Sequence, residues 1–293
     1  MKYAAGVVFY NPKEEDYKKI EIYKQIFDEI IVYDNTEDLE TIKKTKSKIM
    51  LYNVKYIGNQ SNDGLSQAYN EMCKLSIDLK MDYICLLDQD SFFEKENIKI
   101  IMETIEKNKN LKIGVYSPEI HYDHVVTNKE DSNDILEIRK VDWTISSGSF
   151  INLSFFKIIG GFDINYFIDR VDFDYCFSLK NKNIDTVIVS DSKMNQYLGE
   201  TKKKMGKVFF QHSPLRHYYI YRNRLYFYKK KNKKNNLENL KLIAGIINHL
   251  QKIIFLEDQK IKKIKLIFKA HKDYKKSRMG KIKFEFEMVK NID

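Results

Sequence analysis

Four apolar runs in the first hundred residues limit what this chain can become. KYAAGVVFY (residues 2–10), EIIVYDN (29–35), IMLYNVKYI (49–57) and DYICLLD (82–88) each have strand length. Between them lie helical stretches. EEDYKKIEIYKQIF carries acidic residues in its first turn, and GLSQAYNEMCKLSIDL follows a loop of turn formers, GNQSND. Strands alternating with helices predict an α/β fold with a doubly wound, mainly parallel sheet. Such sheets bind ligands beyond the carboxyl ends of their strands. Asn11, Asp34, Asn59 and Asp88 all fall at those ends, so the pattern predicts that they line one crevice.

The rest of the chain is less regular. Residues 117–140 read as a polar excursion, and VDWTISSGSFIN resumes strand character. A Gly160-Gly161 turn precedes FDINYFIDRVDFDYCFSL and the strand DTVIVS. From about residue 213 the pattern is helical and basic. The division predicted is one α/β domain over residues 1–228 and a helical extension over 229–293. With 43% hydrophobic residues the 293-residue chain can bury a full core. Cys73, Cys85 and Cys176 have no paired spacing and read as buried free thiols of a reducing compartment. MKYAAGVVFYNP reads as a first strand and not as a signal segment, and no apolar run is long enough to span a membrane.

Charge is unevenly placed. The net charge is +10, yet residues 1–200 hold 25 Lys+Arg against 34 Asp+Glu, and residues 201–293 hold 26 against 7. A basic last third implies an anionic partner: a membrane surface, a nucleic acid or a polyanionic glycan. In Asn236–Leu256 the apolar residues Leu240, Ile243, Ile247, Leu250 and Ile254 recur at helical steps, between lysine runs at 229–234 and 260–265. One reading is a helix packed on the α/β domain with a solvated basic face. The other is an in-plane anchor at an anionic inner-membrane surface, which makes the protein cytoplasmic and peripheral on the cytoplasmic face.

The chemistry concentrates in CLLDQDSFF (85–93). In extended chain residues i and i+2 point the same way, so Asp88 and Asp90 can approach one ligand together. Two hard oxygen donors suit Mg²⁺ or Mn²⁺ completed by water and phosphate oxygens. One carboxylate can instead take a ribose hydroxyl, and a solvated turn gives the same letters. Asp34 can hydrogen-bond a nucleoside or serve as a turn residue of DNTED. Gly64 opens a helix whose N-terminus would suit a diphosphate, or is simply capped.

VVFYNP, VYDNT, NDGLSQAYN, LLDQDS, WTISSGSFI, GGFDINYFIDRVDFDYCF and HSPLRHYYIYRNRL occur in this order and spacing. In them residues 3–228 resemble the glycosyltransferases of family 2, the inverting GT-A type, and within it the bacterial rhamnosyltransferases of O-antigen and capsule synthesis. The resemblance implies a nucleotide-binding α/β domain that moves a sugar from a nucleotide-sugar donor to a hydroxyl with inversion. dTDP-rhamnose is the donor it favours, with a UDP-hexose as the alternative, and a lipid-linked oligosaccharide is the acceptor. It implies that Asp34 holds the base, Asp88 the ribose, and Asp90 a divalent metal. Asn11, Asn59, Gly64 and Gln89 would line the nucleotide, Asp172 would be the catalytic base, and Asp174 would orient acceptor or helix. Trp143 and Ser146–Ser149, with Ser147 and Gly148, would lie near donor sugar or acceptor. Asp169 joins the substrate side or caps a helix, and Arg216 and Arg222 reach the diphosphate or edge a helix core. Gln196 stands where the rhamnosyltransferase pattern has His, Ser178 where it has Arg, and Val171 where many members have Glu. The first two bear on the donor and a third metal ligand. A nucleic-acid-binding reading of the basic segment leaves the acidic constellation unused, and no nucleic-acid motif accompanies it.

Overall fold

The computed structural model describes residues 1–122, 138–196, 201–204, 207–231 and 236–283. Residues 123–137 of the polar excursion and 232–234 of the first lysine run lie outside them. The chain forms two compact units, one of Met1–Asp163 with Val171–Tyr197 and the other of Ile164–Arg170 with Leu198–Asp293.

The first unit is built on an eight-stranded sheet. Its strands are β1 (Tyr3–Phe9), β2 (Glu29–Asp34), β3 (Lys55–Ile57), β4 (Tyr83–Asp88), β5 (Ile113–Tyr122), β6 (Ile138–Val141), β7 (Phe150–Asn152) and β8 (Asp185–Gln196). They are ordered β3-β2-β1-β4-β7-β5-β8-β6. The nucleus β3-β2-β1-β4 is parallel, β7 runs antiparallel between β4 and β5, and β6 is an antiparallel edge. The helices are α1 (Glu14–Tyr23), α2 (Leu39–Ile49), α3 (Leu65–Asp78), α4 (Lys95–Lys107), α5 (Leu153–Ile159) and α6 (Val171–Lys180). Every residue of β1 is buried, because a central parallel strand is covered on both faces. At Gly6 a Cβ would come within 2.8 Å of Ile84 Cδ1 and 3.0 Å of Met72 Sδ, so the bare backbone lets α3 pack close.

Two expected strands are shorter than their apolar letters. In IMLYNVKYI only Lys55–Ile57 pairs. Ile49 ends α2, Met50–Tyr52 make a 3-10 turn, and Asn53 leaves it at φ 51°. A short apolar run does not distinguish the end of an amphipathic helix from a strand. Of VDWTISSGSFIN only the two ends are strands, and the chain turns between them at Gly148, φ +79°. The polar excursion, conversely, opens on the ten-residue strand β5.

The second unit holds the hairpin β9 (Thr201–Lys204) and β10 (Lys207–Phe210), and helices α7 (Pro214–Lys231), α8 (Asn236–Phe255) and α9 (Lys260–Lys275). Tyr218, Tyr219 and Leu225 of α7 pack with Ile253 of α8 and with Leu266, Ile267 and Ala270 of α9. The aromatic stripe of α7 is thus core, and α7 packs with the last helices in the unit of Ile164–Arg170 and Leu198–Asp293. Arg222 is 1% exposed and belongs to this framework. Its guanidinium donates to Gly280 O (2.7 Å), Tyr218 Oη (3.0 Å) and Arg278 O (3.3 Å), fixing the segment after α9. Buried His217 lies 2.7 Å from His249 and 2.6 Å from Glu257, which also accepts from Lys263 at 2.6 Å. Among the described residues no helix is long and apolar enough to cross a membrane.

Candidate active site

The parallel register brings the strand ends level. Phe9 pairs with Asp34, Val8 with Asp88, and Tyr33 with Ile57. The residues just beyond these ends are therefore brought to one edge of the sheet. Asp34 is buried, and its carboxylate accepts from Thr36 N (2.9 Å) and Tyr56 Oη (2.5 Å). As the turn reading of Asp34 has it, its Oδ1 closes the turn into Thr36, whose Oγ1 accepts from Asn11 N at 2.9 Å. Burial, then the hydrogen bond to Asp34, push the Tyr56 phenol far above its ordinary pKa, so it stays a donor. Beside it Tyr33 Oη donates to Asp63 at 2.8 Å, and Asn59 Nδ2 donates to the same carboxylate at 3.0 Å. Asn35 Oδ1 accepts from Asp63 N at 3.0 Å, which ties the loop before α3 to the end of β2. Gly64 caps α3 at φ +82° and ψ 176°, a conformation that glycine adopts without strain.

The DQD turn is braced from both sides. Gln89 Oε1 accepts from Tyr10 N (2.7 Å), its Nε2 donates to Tyr10 O (3.2 Å), and Lys19 Nζ donates to Gln89 O (2.5 Å). The Gln89 side chain is thus a clip between the exits of β1 and β4. Ser147 is buried likewise. Its Oγ accepts from Asp88 N at 3.4 Å and donates to Ser91 Oγ at 2.9 Å, so it steadies Asp88. Gly148 N donates to Leu86 O at 2.7 Å and carries the brace along β4. Asp90 is exposed and lines a cavity of about 350 Å³ with Phe92, Asn97, His121, Lys193 and Asn195. Among the described residues no three His, Cys, Asp or Glu side chains are arranged to hold a metal ion. An ion bound at the DQD turn would therefore take most of its shell from elsewhere.

Asp88 and Asp172, far apart in sequence, both bear on Tyr69 of α3 through their charge. This tyrosine is fully buried, its hydroxyl hydrogen-bonds Ser146, and burial followed by the charges of Asp88 and Asp172 raises its pKa well above the ordinary value. Asp172 lies half-buried in the first turn of α6, with Oδ1 accepting from Phe173 N at 2.9 Å. Negative charge is favoured there by the helix N-terminus. Trp143 stacks on Phe173, ring centroids 3.8 Å apart, and remains 45% exposed, an aromatic platform next to the carboxylate. Asp174, two residues on, is buried.

In the second unit Asp169 and Arg216 hold one another. Arg216 Nη2 donates to Asp169 Oδ1 at 2.9 Å, and Nε lies 2.7 Å from Oδ2. Burial nevertheless raises the Asp169 pKa, against the pull of Arg216. Asp169 is not the N-cap of a helix in a relaxed conformation: it sits at φ 65°, held by Asn223 Nδ2 donating to its carbonyl at 3.1 Å. Arg222 is committed to the carbonyls after α9, so its expected diphosphate contact is replaced by a structural one. Tyr56, Asp63, Asn35 and Tyr69 escaped the sequence reading. Asp63 had a signal, the SNDG loop, whereas Tyr56 and Tyr69 sit in runs whose letters say only strand and helix.

Residues 15–158 match the family model of glycosyl transferase family 2. The chain is 27% identical over 274 residues to the dTDP-rhamnosyl transferase RfbF of Shigella flexneri, covering 89% of this chain and 91% of that protein. In fold it is similar to Staphylococcus aureus TarS 1-349, solved in complex with UDP-GlcNAc, with a TM-score of 0.57 and 16% identity over 94% of this chain and 80% of that one. It is similar also to GalNAc-T7, solved with UDP, GalNAc and Mn²⁺ (TM-score 0.55, 14% identity, 70% of this chain), of whose length it spans 45%. The sheet is that of the GT-A glycosyltransferases. The ends of β2, β3 and β4, the DQD turn and Ser147 lie inside the matched segment, so the chain carries a glycosyl transferase family 2 domain over residues 15–158.

Proposed function

We propose that the protein transfers rhamnose from dTDP-rhamnose to a hydroxyl of a lipid-linked or growing surface polysaccharide, on the cytoplasmic face of the membrane, by one inverting displacement. The whole-length similarity to a dTDP-rhamnosyl transferase supports the donor. The observation that carries the mechanism is the half-buried Asp172 at the start of α6, next to the exposed Trp143 ring stacked on Phe173.

In this reading Asp34 takes the base edge and Asp88 the ribose, while Asn59 and the α3 N-terminus at Gly64 face the nucleotide. An inverting transfer needs a base on the attacking side and charge neutralisation on the leaving side. Asp172 removes the proton of the acceptor hydroxyl as it attacks the anomeric carbon, a contribution of about 10²–10⁴-fold. Asp174, buried one turn-face away, fixes the start of α6 that presents Asp172. The Trp143–Phe173 stack offers a flat face to a sugar ring beside that base. Asp90, with Asp88, fits a divalent cation of the Mg²⁺ or Mn²⁺ kind: the donors are hard carboxylate oxygens, few enough to leave room for diphosphate and water. Such a cation, when bound, would stabilise charge on the departing diphosphate.

Thermal-shift titration with nucleotide sugars tests this. Saturating donor at a hundred times its Kd stabilises a fold by about 2.7 kcal/mol. dTDP-rhamnose with Mn²⁺ or Mg²⁺ should raise the midpoint more than UDP-galactose or UDP-glucose does. A larger shift with either UDP-hexose would replace the donor assignment, and no shift with any nucleotide sugar would remove it.

A further inference from the structure

We propose that the second unit docks on an anionic lipid bilayer through the outward faces of α8 and α9. Each helix carries more apolar side chains than its buried side uses. On α8, Leu242, Ile246 and Ile253 pack into the core of the unit. Leu240, Ile243, Ile247 and Ile254 form a different row and are 63, 54, 50 and 45% exposed. On α9, Leu266, Ile267 and Ala270 fill the core, whereas Ile261 and Phe268 are 73 and 72% exposed. Seven residues apart, they lie on one side of the helix.

A surface helix ordinarily turns polar side chains outward, and exposed apolar rows of this extent mark an interaction surface. The face of α9 also says what covers it. Lys265 and Lys272 stand four residues after Ile261 and Phe268, Lys275 follows Phe268 by seven, and all three are exposed. An apolar centre fringed by lysines suits the boundary between acyl chains and acidic headgroups. A second copy of this chain fits worse, since residues 201–293 carry 26 Lys+Arg against 7 Asp+Glu and two such surfaces repel. The solvated basic face expected for a merely packed helix is not what α8 presents. The inference deepens the lipid-linked acceptor reading and rests on it only for its use, because vesicle binding is read without any nucleotide sugar.

The test is co-sedimentation of the full chain with vesicles of phosphatidylcholine alone and of an equal mixture with phosphatidylglycerol. Binding to the mixture should be at least about tenfold tighter and weaken with salt. The double variant Ile261→Glu/Phe268→Glu should lose that binding with its thermal midpoint and dTDP binding unchanged, since both side chains are exposed. The single change Lys272→Gln should weaken binding to the mixture alone. Indifference to phosphatidylglycerol, wild-type sedimentation of the double variant, or a dimer by light scattering that the double variant dissolves would each overturn the proposal.

Discussion

Gly148→Ala isolates the brace behind Asp88. Gly148 is buried at φ +79°, and a Cβ there would lie 2.7 Å from Met194 Sδ and 3.1 Å from Pro118 Cγ. The left-handed backbone costs an alanine about 1–2 kcal/mol. Met194 can shift, the proline ring cannot, and overpacking of this kind costs about 1–3 kcal/mol. The sum, about 2–5 kcal/mol, corresponds to a fall in thermal midpoint on the order of 5–20 °C for a unit of this size. The same residue donates to Leu86 O, and its neighbour Ser147 accepts from Asp88 N, so the surviving folded protein should bind dTDP more weakly. Differential scanning calorimetry gives the first quantity and isothermal titration with dTDP the second. An unchanged midpoint would refute the steric argument, and unchanged dTDP affinity would refute the bracing role of Ser147 and Gly148.

Asp34→Ala should weaken dTDP binding about 10- to 100-fold, the worth of a hydrogen bond to a charged group, whereas Tyr56→Phe should cost about 1 kcal/mol of stability and leave binding largely intact; titration separates them. Asp90→Ala should remove the dependence of dTDP affinity on Mn²⁺ that chelation reveals in the wild type. Arg222→Met leaves the Gly280 and Arg278 carbonyls unpaired and should cost about 3 kcal/mol, with faster proteolysis beyond α9 as the readout. Burial holds His249 down to about 3 and His212 to about 4. An unfolded histidine takes its proton near pH 6.5, so stability is complete above that value and is lost as pH falls toward the folded pKa. From pH 7 to 5 His249 alone should remove about 2 kcal/mol, visible as a lower thermal midpoint.

The sequence revealed the α/β alternation because a buried parallel strand is apolar throughout and its exit is not, and that put Asp34 and Asp88 at strand ends before any coordinates. It failed where letters serve two structures. Met50 and Leu51 look like strand and are an exposed turn, and Gln89 and Ser147 lie in the motif but spend their hydrogen bonds on Tyr10 and Asp88. Arg222 resembled a ligand cation, and only the fold shows that its donors are taken by carbonyls after α9. Tyr69 left no mark at all, since its burial beside distant segments is a property of the fold and not of its letters.

The central claim is that Asp172 acts on the acceptor and not on the nucleotide. Asparagine has the same shape, keeps an oxygen for Phe173 N, and loses only a helix-terminal charge worth about 0.3–1 kcal/mol of stability. Turnover of dTDP-rhamnose by Asp172→Asn should fall by about 10²–10⁴-fold while its dTDP affinity stays at the wild-type value. Near-normal turnover, or a loss of dTDP affinity as large as the loss of rate, would contradict the account.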